Sequence, residues 1–261
     1  MLAEPLISNG KLKELIKDSA IIIGVRDFRE TSAIVSVITK SRGKLRLIAK
    51  GVRRKKPQLS GSLRIGSVGE VVYYYRQEST LHLLKEANFK ESFYTDSLDR
   101  LCMLQAILEL SELVALEGEG NEEFFELITR SIRYLNVGDP WYVFFVFEVG
   151  VLKLSGLYPE LSKCDVCGIE LSSSEEIFIN PRGIEVYCMR CRGKDSLIVS
   201  RDSLKLIRNI ERGESPGMEE SGLEPIVKRE VGKLLHYIFL YHVDGYRLPE
   251  SLRLLGEVNK F

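Results

Sequence analysis

Lys40-Ser41-Arg42-Gly43-Lys44-Leu45-Arg46-Leu47-Ile48-Ala49-Lys50-Gly51-Val52-Arg53-Arg54-Lys55-Lys56 holds nine Lys or Arg in 17 residues and no acid. Within it Leu45, Leu47 and Ala49 alternate with Lys44, Arg46 and Lys50, the period of two that puts apolar side chains on one face of a strand and cations on the other. Gly43 marks a hairpin turn, and the run before it, Ala33–Thr39, is apolar and β-branched. Working outward, Ala20–Val25, Ser67–Tyr75 and Thr80–Ala87 read as further strands. Five short strands in under 90 residues predict a small closed barrel, of which the five-stranded OB-fold is the common form. Cations on a strand face and in the adjoining loop make Lys40, Arg42, Lys44, Arg46, Lys50, Arg53, Arg54, Lys55 and Lys56 the expected nucleic-acid-binding residues. Each phosphate they neutralise releases counterions, which gives fast, sequence-independent binding. Phe28 and whichever of Tyr73, Tyr74 and Tyr75 point outward are the stacking candidates for single strands.

Residues 1–18 read as a short helix or a loose arm, because Leu12, Leu15 and Ile16 can share a helical face. The barrel is expected over residues 19–90. After residue 95 the period turns helical, with helices predicted from Leu98 to about Glu117, over Glu122–Leu135, from Pro140, over Ser200–Glu211 and over about Pro225–Val243, and with Leu248–Leu255 closing the fold. Thr95 or Ser97 supplies the first cap, and Asp139-Pro140 opens the third helix. The helical domain is therefore expected to comprise residues 91–159 and 196–261, interrupted by a cysteine module over 160–195. Cys164, Cys167, Cys188 and Cys191 form two C-x-x-C pairs 20 residues apart, with the turn Asn180-Pro181-Arg182-Gly183 between them. A hairpin there brings the pairs together. Four thiolates fill a tetrahedral shell and leave no open position, so one structural Zn2+ is expected, an iron centre or a redox pair being the other uses of this pattern.

The formal net charge is zero, but residues 1–80 hold 16 Lys+Arg against 7 Asp+Glu, and the other 181 hold 21 against 30. One region is thus suited to a polyanion and the other is not. No apolar run reaches the length of a membrane helix, and charges interrupt the first 20 residues, so a cytoplasmic location is expected. Enzyme motifs fail on context. Gly61-Ser62-Leu63-Arg64-Ile65-Gly66 lacks the phosphate-binding lysine. Gly213-Glu214-Ser215-Pro216-Gly217 follows a helix rather than the strand a raised serine needs. His82, His236 and His242 are isolated. No catalysis is expected.

Glu30-Thr31-Ser32, a strand, then Gly43-Lys44-Leu45-Arg46-Leu47-Ile48-Ala49-Lys50-Gly51-Val52-Arg53 resembles the N-terminal signature of the RecO family, and the order barrel, helices, cysteine insert, helices is similar along nearly the whole chain. The resemblance implies an α+β protein: an N-terminal five-stranded OB-fold barrel, then an α-helical domain with an inserted zinc-ribbon-like four-cysteine module. It implies a recombination mediator that binds single- and double-stranded DNA through the basic residues of 40–56, anneals complementary strands, partners RecR, and helps load RecA on strands coated by single-strand-binding protein, associated with the nucleoid. It also implies docking of that protein's acidic, apolar C-terminal tail on the helical domain, where Lys228, Arg229, Lys233 and Arg247 lie near Leu234, Leu235, Tyr237 and Ile238. From the residues alone, an RNA-binding accessory protein of translation or transcription, or a protein adaptor with an acidic partner, stays open. Preference for RNA of the same sequence would mark the first, and failure to bind bare oligonucleotides the second.

Overall fold

The computed structural model describes residues 6–8, 11–52, 63–213 and 222–259. Strand β1 (Leu6–Ser8) pairs with the start of β2 (Lys11–Phe28). Next come β3 (Ser32–Thr39), β4 (Gly43–Ala49), β5 (Val68–Tyr75) and β6 (His82–Glu91). Neighbours run β2-β3-β4-β6-β5, and β5 pairs back onto β2, closing a five-stranded ring. Every pairing in it is antiparallel except β4 with β6. This is the OB barrel. The long β2 serves two neighbours: Glu14–Ile21 pairs with β5 and Ala20–Phe28 with β3, with a register shift between Ile22 and Gly24 that bends the strand. Residues 11–18 are thus strand, not helix or arm. Their pattern fits both periods locally, and the partner that decides, β5, lies more than 50 residues away. Residues 1–5, 9 and 10 of that segment lie outside the described residues.

The barrel core is built from alternate residues, as the pleat requires: Ala33, Val35 and Val37 face Leu45, Leu47 and Ala49, with Ala20, Ile22, Val71, Tyr73 and Leu84 completing it.

Helix α1 (Leu98–Val114) follows the barrel, then α2 (Glu122–Tyr134), whose Asn121 side chain accepts from the Phe124 N–H at 2.9 Å. Helix α3 (Pro140–Leu154) begins with Pro140 behind the cap Asp139 and is buried through Phe144, Phe145 and Phe147. Short strands β7 (Ile177–Asn180), β8 (Glu185–Tyr187) and β9 (Leu197–Val199) form a three-stranded sheet in the order β8-β7-β9. β9 was not anticipated. Helices α4 (Arg201–Arg212), α5 (Pro225–His242) and α6 (Glu250–Asn259) complete the chain. The Phe145 ring packs on Gly232 of α5.

Two compact units emerge: residues 1–97 with 107–136, and residues 98–106 with 137–261. The first therefore holds the barrel together with the second half of α1 and all of α2. No helix among the described residues is long and apolar enough to cross a membrane.

Candidate nucleic-acid face and metal centre

The register across β2, β3 and β4 sets the outer barrel face. Gly24, Ser36 and Arg46 form one row; Arg26, Ile34 and Ile48 the next; Phe28 stands opposite Ser32 in the third. Lys50 follows Ala49 at the end of β4 and is exposed. The floor between the cations is small or apolar: Gly24, Ser32, Ser36 and Ile48. Arg26, Arg46 and Lys50 have no ion-pair partner among the described residues. Arg29, exposed in the β2–β3 turn with φ of 55°, holds its guanidinium 5.2 Å from the centre of the Phe28 ring. Sequence reasoning missed Arg26 and Arg29. The alternation of Gly24, Arg26 and Phe28 was the available signal, hidden because the bulge shifts the phase after Ile22.

The β3–β4 turn is a different environment. The Asp18 carboxylate accepts from the Ser41 backbone N–H at 3.3 Å and from its hydroxyl at 2.5 Å. Lys40 pairs with Glu122 at 2.7 Å and Glu126 at 3.4 Å, both on α2. The hydrogen bond that the Lys40 ammonium donates to Glu122 is the main cause that holds it above its ordinary range, against the opposing effect of burial. Arg42 lies 4.0 Å over the Tyr75 ring and 3.5 Å from Glu14. Lys44 Nζ donates to the Glu112 carbonyl oxygen at 2.9 Å. Of the nine cations expected to meet DNA, three are thus occupied within the chain, and Arg46 and Lys50 are presented. Arg53, Arg54, Lys55 and Lys56 lie outside the described residues.

The tyrosines divide as the pleat demands. Tyr73 is fully buried. Tyr75 stacks on His82 at 4.8 Å while Arg42 covers it, so its ring is taken up by neighbours. Tyr74 lies on the opposite face of β5 and is half-buried. Phe28 remains the aromatic of the basic face.

The four cysteines come together. All four Sγ atoms lie within 4.8 Å of one another, and Cys167 and Cys188 are 3.8 Å apart. Thiolates about 2.3 Å from a tetrahedral ion sit about 3.8 Å from each other, so the cluster fits a metal. Two tight turns build it. The Gly168 N–H donates to the Cys164 carbonyl at 2.8 Å with Gly168 at φ of 70°, a left-handed conformation that favours glycine. The Cys191 N–H donates to the Cys188 carbonyl at 3.1 Å. The Asp165 N–H donates to the Val186 carbonyl at 2.8 Å, tying the first turn to the strand that leads into Cys188. Burial opposes ionisation of Cys164, but backbone N–H groups of Cys167, Cys188 and Val166 outweigh it and hold the thiol down to about 6.

The basic residues expected on the helical domain lie on or after α5. Arg229, Lys233 and Arg247 are exposed and Lys228 is half-buried. Leu234, Leu235 and Ile238 are core residues at 3%, 2% and 0% exposure, so of the apolar lining expected there only Tyr237 reaches the surface.

Residues 13–93 match the family model described as recombination protein O N terminal, and residues 95–252 the model described as recombination protein O C terminal. A DNA repair protein RecO of Desulforamulus reducens is 27% identical over 235 residues, 88% of this chain and 91% of that protein. The one from Bacillus pumilus is 28% identical over 259 residues, 94% of this chain and 99% of the relative. That from Rhodopirellula baltica is 30% identical over 197 residues, 73% of each. Barrel topology, cysteine cluster and two adjoining domain matches agree: the chain belongs to the RecO family of DNA repair proteins.

Proposed function

We propose that this protein is a non-enzymatic recombination mediator. It binds single- and double-stranded DNA on the open barrel face, anneals complementary strands, and helps load recombinase on strands coated by single-strand-binding protein during gap repair and homologous recombination. The observation that carries this reading is the arrangement of Arg26, Phe28 and Arg46 on adjoining rows of one outer barrel face, with Lys50 just beyond them: Arg26 and Lys50 are exposed, Phe28 and Arg46 half-buried. Cations there neutralise phosphates, and the Phe28 ring offers a base a stacking surface. Annealing then needs no bond chemistry: lowering phosphate repulsion while bases stay accessible lowers the barrier to pairing.

The metal held by the four cysteines is read as one structural Zn2+, whose chemistry is to cross-link two turns that bury little by themselves. By family resemblance the partners are RecR, RecA indirectly, and the C-terminal tail of single-strand-binding protein, with Lys228, Arg229, Lys233 and Arg247 as the cations that would meet its acids. The site of action would be the nucleoid in the cytoplasm.

Oligothymidylate binding measured by anisotropy across salt concentrations tests the barrel reading. Three phosphate contacts give a log–log slope of about −2, hence about 20-fold weaker binding at 200 mM than at 50 mM salt. Reversing Arg26, Arg46 and Lys50 to Glu should remove most of that slope. An unchanged slope, or a marked preference for RNA of the same sequence, overturns it.

A further inference from the structure

Between residues 109 and 126 the chain carries seven glutamates and no Lys or Arg. This acidic segment is fixed against the β3–β4 turn. The Lys44 N–H donates to the Leu116 carbonyl at 2.8 Å. A side chain at Gly43 would strike the carbonyl oxygens of Leu116 and Glu119, and one at Gly120 the backbone of Lys40 and Ser41. The close packing leaves Glu122 and Glu126 on Lys40, whose side chain is 34% exposed. Rows further along the same strands carry Arg46 and Arg26 and no such acids.

We propose that Glu122 and Glu126 are specificity-determining residues that end the nucleic-acid track: they occupy Lys40 and, with their acidic neighbours, repel phosphate from the β3–β4 turn, so that a bound strand is confined to the rows of Arg46, Arg26 and Phe28. This rests on the barrel reading above. It inverts the role the sequence gives Lys40. Like charges placed against a misplaced partner discriminate as effectively as attractive contacts placed for the right one. A confined strand has its phosphates directed away from the acidic segment.

A double-mutant cycle read by salt dependence tests it. Lys40→Ala in the otherwise native chain should leave oligothymidylate affinity and slope unchanged. Glu122→Gln with Glu126→Gln frees one cation. Affinity should rise about two- to fivefold, and the slope should steepen by about 0.7, the increment for one more phosphate on a single strand. Adding Lys40→Ala to that pair should cancel the steeper slope and leave only that part of the affinity gain that comes from the lost repulsion. A purely structural ion pair would shift the melting temperature and leave the slope alone. Loss of affinity and slope in Lys40→Ala itself, or no change in the Gln pair, overturns the proposal. If Arg46→Ala with Lys50→Ala also leaves binding untouched, the barrel reading fails with it, and the two failures are told apart by those arms.

Discussion

Glu148 lies in the middle of α3 at 3% exposure, between Phe147 and Val149, which are also buried. Burial holds its carboxyl well above the usual carboxylate range. In the unfolded chain it ionises near its ordinary value of about 4.3. Above that value the unfolded state gives up a proton that the folded state keeps, until the pH reaches the folded value. Its contribution to stability is therefore fully present at acid pH and declines as pH rises, by up to about 1.4 kcal/mol per pH unit. Glu148→Gln removes this titration. The variant should gain on the parent chain in melting temperature between pH 5 and pH 8, and the two should converge below pH 4. Parallel curves across that range would contradict the burial. The same principle, that neighbours decide what a charge does, explains what could and could not be read on the basic barrel face. Lys44, Arg46 and Lys50 share a parity visible in the sequence. That Lys44 reaches the Glu112 carbonyl, and Lys40 reaches Glu122, depends on the later helices α1 and α2, and no local pattern encodes it.

At the scale of elements, the turn between β3 and β4 shows how local chemistry and distant packing agree. Thr39 Oγ1 donates to the Gly43 carbonyl at 3.2 Å and accepts from the Arg42 N–H at 3.2 Å, closing the turn. Gly43 adopts φ of 60° beneath the carbonyls of Leu116 and Glu119. Gly43→Ala meets both a left-handed backbone and an occupied space. It should cost at least about 1–3 kcal/mol, seen as a lower urea midpoint. An unchanged midpoint would mean that the segment after α1 does not rest on this turn. β4 was legible from alternation because one face is core, and β3 from its apolar, β-branched run, which is buried on both faces. The start of β2 was not, since its apolar spacing suits a helix equally and only pairing with β5 settles it. The short β9 escaped notice for a similar reason: three residues carry no period, and its place is set by pairing with β7. The cysteine turns were legible because metal chemistry restricts spacing more tightly than folding does. Cys188→Ala should take the metal content from about one per chain to none and make residues 160–199 the first site of protease cleavage, while the barrel stays resistant. Full metal retention in that variant would exclude Cys188 as a ligand.

For the whole molecule, the charge asymmetry belongs to the order of the chain more than to its compact units. The surplus of cations in residues 1–80 falls mainly in barrel segments, and part of it is cancelled within the same compact unit by acids of residues 107–136. The expectation that helices begin a separate domain after the barrel rested on where the period changes. Compactness instead follows contacts, and these assign the second half of α1 to the unit that contains the barrel. The cysteine cluster belongs to the other unit. The Pro181 carbonyl lies 2.9 Å from His242 Nε2 and the Leu171 carbonyl accepts from Arg208 at 2.6 Å, so the module is tied to α4 and α5. Metal removal should therefore be felt in that unit and not on the basic face. Treating the whole protein with a strong chelator should lower one thermal transition, expose residues 160–199 to protease, and leave oligothymidylate affinity within about twofold of the untreated value, because no cysteine ligand lies within the barrel strands. Re-addition of zinc should restore the transition. If affinity instead falls in step with metal loss, the strand must also touch the metal-bearing unit, and the barrel face alone cannot be the binding surface.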